Sequence, residues 1–161
     1  MPYRRRSTSN RRRVVTRDKY SVETSAGSIT VSSTAANSLY QGTATLVPST
    51  TIQGMRKVKH LTIEIVNGGT SDYYWAVVYV PQGTSPNALF QTTQQLSGSL
   101  YEPNQFVLAC GLMDVDNPHR IMTPISRNLN SGDSISIVVG RISADNTPMY
   151  YSVRYAVTLQ Y

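Results

Sequence analysis

Residues 150–161 read YYSVRYAVTLQY, and the order of these twelve residues decides the fold class. Tyr151, Val153, Tyr155, Val157 and Leu159 occupy every second position, with Ser152, Arg154, Thr158 and Gln160 between them. Successive side chains of a strand point to opposite faces, so the segment has one apolar face and one polar face. The same period recurs upstream. In DSISIVVGRI (133–142), Ile135, Ile137 and Val139 alternate with Ser134 and Ser136. In VKHLTIEIVN (58–67), Leu61, Ile63 and Ile65 form the apolar set, and His60, Thr62 and Glu64 face away. YYWAVVYV (73–80) is apolar on both faces, as in a central strand covered on both sides or one set against a neighbouring subunit.

Turn-forming clusters separate these segments: NGGTSD (67–72), NSGD (130–133) and ADNTP (144–148). The rest of the chain is rich in Val, Ile, Thr, Ser and Tyr and poor in Glu, Lys and Ala, which suits strands. Strands are expected near 20–33, 43–48, 57–66, 73–80, 105–112, 119–127, 134–142 and 150–160. Eight strands at this spacing predict an all-β two-sheet sandwich or a closed barrel. The long gap at 81–104 has room for a short helix, with Ser85 as its cap and Pro86 in its first position. No internal repeat is visible.

Charge divides the chain in two. Residues 1–19 carry Arg4, Arg5, Arg6, Arg11, Arg12, Arg13, Arg17 and Lys19 against Asp18 alone, a net of +7. The remaining seven basic and eight acidic residues leave 20–161 at −1. The expected organisation is a cationic arm, 1–19, ahead of one folded domain, 20–161. The arm has no apolar periodicity and is crowded with like charge, so alone in water it is expected to be disordered. Seven of its eight cations are arginine. Guanidinium groups bind phosphate oxygens in a fork and stack on bases, which points to nucleic acid as the partner. The same residues match the composition of a nuclear-import signal. No apolar run follows them, so the arm reads neither as a signal peptide nor as a membrane-surface helix. A second basic cluster, Arg56, Lys57 and Lys59, is a candidate extension of the binding surface.

Catalytic chemistry finds little material. His60 and His119 fall on a polar strand face and beside a Pro-flanked loop, without a partner constellation for acid–base work. Cys110 is the sole cysteine, which excludes an intramolecular disulfide and a cysteine-based zinc cluster. It alternates with Phe106, Leu108 and Leu112 and reads as a small buried hydrophobe. In DVDN (114–117), Asp114 and Asp116 offer oxygens of the type calcium takes, but the glycine and distal glutamate of an EF-hand loop are missing. The stretch reads as a polar turn, and neither a metal nor a cofactor is expected. The longest apolar run, from Tyr73, is too short to span a bilayer, so no membrane insertion is expected. Eleven tyrosines against two phenylalanines suggest that some tyrosines serve protein–protein contacts.

SLYEPNQFVLACG (99–111), followed by HRIMTPISRNLNSGDSISIVVG (119–140), resembles the capsid proteins of small circular single-stranded DNA viruses that encode a replication initiator. The arginine-rich opening and RKVKHLTIEIVN (56–67) resemble the arm and a core strand of circovirus-like coats. The resemblance implies an eight-stranded antiparallel jelly-roll sandwich, similar also to the coat of satellite tobacco necrosis virus. It implies sixty copies in a small icosahedral shell, with the arm turned inward onto a single-stranded DNA genome. Partners implied are that genome, further copies of the chain, a host receptor and the nuclear-import machinery; the locations are the virion and the host nucleus. Pro124 lies inside the expected sixth strand, and proline is tolerated chiefly at a sheet edge. In the implied fold that strand is an edge. The other readings are a coat protein of a small RNA or satellite virus, and a non-viral nucleic-acid-binding sandwich.

Overall fold

The computed structural model describes residues 20–32, 40–86, 106–115, 117–141 and 147–160, the last two by backbone alone. It is all-β, with β1 (Ser21–Ile29), β2 (Tyr40–Val47), β3 (Met55–Val66), β4 (Tyr73–Val80), β5 (Val107–Met113), β6 (His119–Leu129), β7 (Ser134–Arg141) and β8 (Met149–Gln160). All pairings are antiparallel and build two four-stranded sheets, ordered β1-β8-β3-β6 and β2-β7-β4-β5. Only β4 and β5 are both consecutive in the chain and adjacent in a sheet.

The eight expected strands are all present, with ends displaced by a few residues. The first stops at Ile29, where the chain leaves one sheet for the other. Ser32 is already held to Gln41 beside β2 by reciprocal N–H to C=O bonds of 3.0 Å. The expected helix after Ser85 lies, beyond Pro86, outside the described residues.

The core fills the space between the sheets. Ile63, Ile65, Val153 and Leu61 from one sheet meet Val77, Ile135, Ile137 and Val139 from the other, all almost fully buried. β4 is covered on both faces, as its sequence suggests: Tyr73, Trp75 and Val77 join the main core, while Ala76, Val78 and Val80 form a second cluster with Val138. That cluster lies on the far side of the β2-β7-β4-β5 sheet. It also explains why Ser136, expected on a polar face, is buried.

Bulges override simple alternation in β3 and in the β4–β5 pair, besides the register shift between Thr45 and Val47 that puts both Leu46 and Val47 in the core. In β3, residues Arg56 and Val58 face inward, then Leu61, Ile63 and Ile65 do so. The phase changes at His60, whose φ is 55°. There, His60 and Leu61 together oppose Tyr155 of β8, while His60 alone opposes Pro124 and Ile125 of β6. An extra residue in a ladder flips every side chain beyond it to the other face. Pro124 thus sits on an edge strand at a bulge, where its missing N–H costs least.

The second bulge corrects the expectation for Cys110. Register in the β4–β5 pair shifts between Val77 and Val78, and the core-facing set in β5 becomes Ala109, Gly111 and Met113. Cys110 and Leu112 are exposed. The reason is Trp75, which lies opposite Gly111. A Cβ on residue 111 would come within 2.8 Å of the indole Cζ2, so the strand presents Gly111 to the indole and turns Cys110 and Leu112 out, with Met113 filling the core beyond.

Candidate nucleic-acid interface

Arg4, Arg5, Arg6, Arg11, Arg12, Arg13, Arg17 and Lys19 lie outside the described residues, so the interface is built from the point where the arm joins the fold. That point is Tyr20, next to the first residue of β1. The Nζ of Lys59 stands 4.7 Å from the centroid of the Tyr20 ring, a cation–π contact that pins the arm's root to β3.

The three residues of the second basic cluster do not stay together. Lys57 and Lys59 lie half-buried on the outer face of the β1-β8-β3-β6 sheet. Lys57 is in register with Thr158 and Asn128, and Lys59 with Ala156 and Ser126. Arg56 points the other way. It is 9% exposed, and its Nη2 donates to Pro48 O at 2.9 Å and to Asp133 O at 3.4 Å. Both acceptors belong to the opposite sheet's connections, so Arg56 ties the two layers together and does not meet solvent anions.

The turn that receives Arg56 is itself anchored. Residues 130–133 form a turn closed by Asp133 N–H onto Asn130 O at 3.1 Å, with Gly132 at a φ of 86° that an L side chain rarely adopts. The Asp133 carboxylate accepts from Tyr79 Oη at 2.6 Å, Asn130 N at 2.8 Å and Gln82 N at 3.1 Å. Burial alone would raise its pKa. The hydrogen bonds from Tyr79, Asn130 and Gln82 outweigh that and hold it below the ordinary carboxylate value. Burial and the bond to Asp133 push the Tyr79 phenol up to about 12, and the Arg127 guanidinium stacked 4.4 Å from its ring only partly offsets this.

Three of the eleven tyrosines have a structural explanation here. Tyr73 and Tyr155 are buried and Tyr150 is exposed. The hydroxyls of three tyrosines tie polar groups into the sandwich: Tyr79 to Asp133, Tyr155 to Glu23 at 2.6 Å, and Tyr73 as acceptor from Arg141 Nη1 at 2.7 Å. Phenylalanine in these places would fill the space but satisfy none of these polar groups.

Sequence reasoning missed Arg154. It is exposed on β8, in register with Thr24 of β1 and Thr62 of β3, and shares the outer face with Lys57 and Lys59. Its signal was present in the opening stretch, where it occupies the polar side of the alternation. Only the β3–β8 pairing reveals that this polar side adjoins the two lysines.

Metal and acid–base chemistry gain no support from geometry. Asp116 lies outside the described residues, and Asp114 contributes its backbone oxygen to Asn67 Nδ2 at 3.4 Å. Among the described residues no three His, Cys, Asp or Glu side chains cluster. His60 is exposed in its bulge, and His119 packs against Trp75 with ring centroids 5.6 Å apart. Among the described residues no helix is long and apolar enough to cross a membrane. Compared with protein-family models and with curated proteins, the chain matches none.

Proposed function

We propose that this chain is a viral capsid protein that assembles into a sixty-copy icosahedral shell and packages a single-stranded genome, DNA by resemblance, through its arginine-rich arm. The observation that carries the reading is the separation of charge from fold. A +7 segment of nineteen residues precedes an all-β body of net charge −1. A flexible arginine arm contacts phosphates without selecting bases. One arm binds weakly, whereas many arms held by a closed shell act together on one polymer.

The strand order supports a jelly roll. The nested partners β1–β8, β3–β6, β2–β7 and β4–β5, divided between two four-stranded sheets, are the pairing expected of that double Greek key. Tyr20, the root of the arm, lies on the outer face of one sheet beside Lys59, and nineteen residues fully extended would span roughly 60–70 Å. The same arginines suit import of newly made chains into the host nucleus.

Expression of the whole chain and of a chain lacking residues 1–19, followed by sedimentation and electron microscopy, tests the reading. Uniform particles holding nuclease-protected nucleic acid are expected from the whole chain, and empty particles or none without the arm. Digestion with DNase or RNase after particle opening identifies the cargo. Monomers alone, under every assembly condition, would remove the capsid reading in favour of a cellular nucleic-acid-binding protein.

A further inference from the structure

The net charge of −1 on the body conceals an uneven distribution. Residues 20–161 contain seven cations. Arg56 and Arg141 are buried, and Arg127 lies stacked on Tyr79. The other four, Lys57, Lys59, Arg120 and Arg154, all lie on the outer face of the β1-β8-β3-β6 sheet. Glu64 is the carboxylate in register with this face, paired with Arg120 at 3.5 Å and mostly exposed. Glu23 of β1 is turned to the inner side by its bond to Tyr155.

A groove with a volume of about 730 Å³ crosses this face. Its floor is made of small side chains, among them Thr24, Ala26, Thr62, Ser152 and Ala156, which leave room above the backbone. Arg120 and Glu64 line one part, where their charges cancel, and Arg154 with His60 lines another. Lys59 stands one diagonal step from Arg154, because Ala156 beside Arg154 on β8 is its register partner. Unpaired positive charge therefore increases from the Glu64 end toward Lys59 and Tyr20, where the arm begins.

We infer that this groove and the strip of sheet beyond its Ala156 end are a second nucleic-acid site: a track for the sugar–phosphate backbone of a single strand, held by Arg154 in the groove and by Lys59 and Lys57 beyond it on the same face, leading to the arm's root at Tyr20. The inference rests on the nucleic-acid-binding reading of the arm, and it adds that the folded body also touches the polymer. The occupant follows from charge and shape. A concave, net-positive channel with hydroxyl-bearing and small side chains accommodates a repeating anion and offers no deep apolar pocket to a hydrophobic ligand. A single strand suits it better than a duplex, because its backbone bends to follow the groove toward the arm's root at Tyr20.

The test uses the full chain and a short fluorescent oligothymidylate, with Kd measured across a salt series. Four proteins are compared: wild type, K57Q/K59Q/R154Q, E64Q, and R4Q/R5Q/R6Q/R11Q/R12Q/R13Q. Loss of three body contacts is expected to make the log–log salt slope shallower by about 2 and to raise Kd about 10–100-fold near 0.1 M salt. E64Q removes the carboxylate and releases Arg120, so its Kd is expected to fall several-fold. That gain cannot come from misfolding. An unchanged slope in the folded triple variant, with a loss in the arm variant, would overturn the groove and leave the arm reading standing. Impaired particle formation by the triple variant at unchanged slope would also overturn it, marking the face as a subunit contact. Wild-type chain that shows no salt-dependent binding would remove the reading on which the groove rests.

Discussion

Asp133 shows how one side chain holds several parts of the sandwich. It is 4% exposed, and its carboxylate collects bonds from β4, from the residues after β4 and from its own turn, while its backbone oxygen accepts from Arg56 of the other sheet. Replacing it with alanine leaves the Tyr79 hydroxyl and two backbone N–H groups without their acceptor. D133A is expected to lower stability by about 3 kcal/mol or more in urea denaturation, and D133N by less, since asparagine keeps one acceptor oxygen. The pH dependence has two limbs. The Asp133 pKa is depressed on folding, so its stabilisation is complete above the unfolded value of 3.8 and is lost as pH falls through and below it. The Tyr79 pKa is raised, so its contribution is complete below 10.0 and is lost as pH rises toward about 12. Tyr155, raised by burial and by its bond to Glu23, adds to the alkaline limb. In a pH series of melting temperatures, Y79F is expected to flatten the alkaline limb in part, leaving the Tyr155 share.

At the scale of elements, the His60 bulge decides what β3 presents to solvent. Alternation carried back from Leu61 without interruption would place Lys59 and Lys57 in the core and Arg56 outside. The extra residue reverses this, so Arg56 becomes a bridge between sheets and both lysines join Thr62 and Glu64 on the outer face. A uniform alternation does not fit this stretch in either phase: Arg56 and Val58 carried forward would put His60 in the core, and Leu61 carried back would put Lys59 there, so the register is settled only by the pairing with β6 and β8. The left-handed backbone at His60 costs an L residue roughly 1–2 kcal/mol relative to glycine, part of which glycine's greater unfolded entropy offsets. H60G is therefore expected to raise stability by up to about 1 kcal/mol without altering the face that Lys57 and Lys59 occupy. Thermal unfolding and accessibility of the two lysines to an amine-reactive probe check both parts.

Over the whole molecule, the net positive charge lies in residues 1–19, while the body, 20–161, carries −1. The arm contains seven arginines and a lysine, and on the proposed reading seven or eight phosphate contacts on a single strand would give a log–log salt slope of about −5 to −6. Oligothymidylate binding by the full chain is expected to show at least that slope, and the six-arginine variant to lose about 4 of it. A near-zero slope for wild-type chain would rule out the arm as the polyanion contact.

The sequence by itself determined the eight strands, because side-chain period and turn chemistry are local and repeat often enough to be read one segment at a time. It also determined where the net charge lies and that YYWAVVYV is covered on both faces, whereas β7, read as having a polar face at Ser134 and Ser136, is buried on both. What only the tertiary structure decided was phase and neighbourhood. A bulge at His60 and another beside Val78 each cost a single residue of register, yet they moved Arg56 inward and Cys110 outward. Arg154 became a neighbour of Lys59 through the β3–β8 pairing, across nearly a hundred residues of chain. Such pairings depend on which strands lie side by side, and that is settled by packing two whole sheets around a shared core.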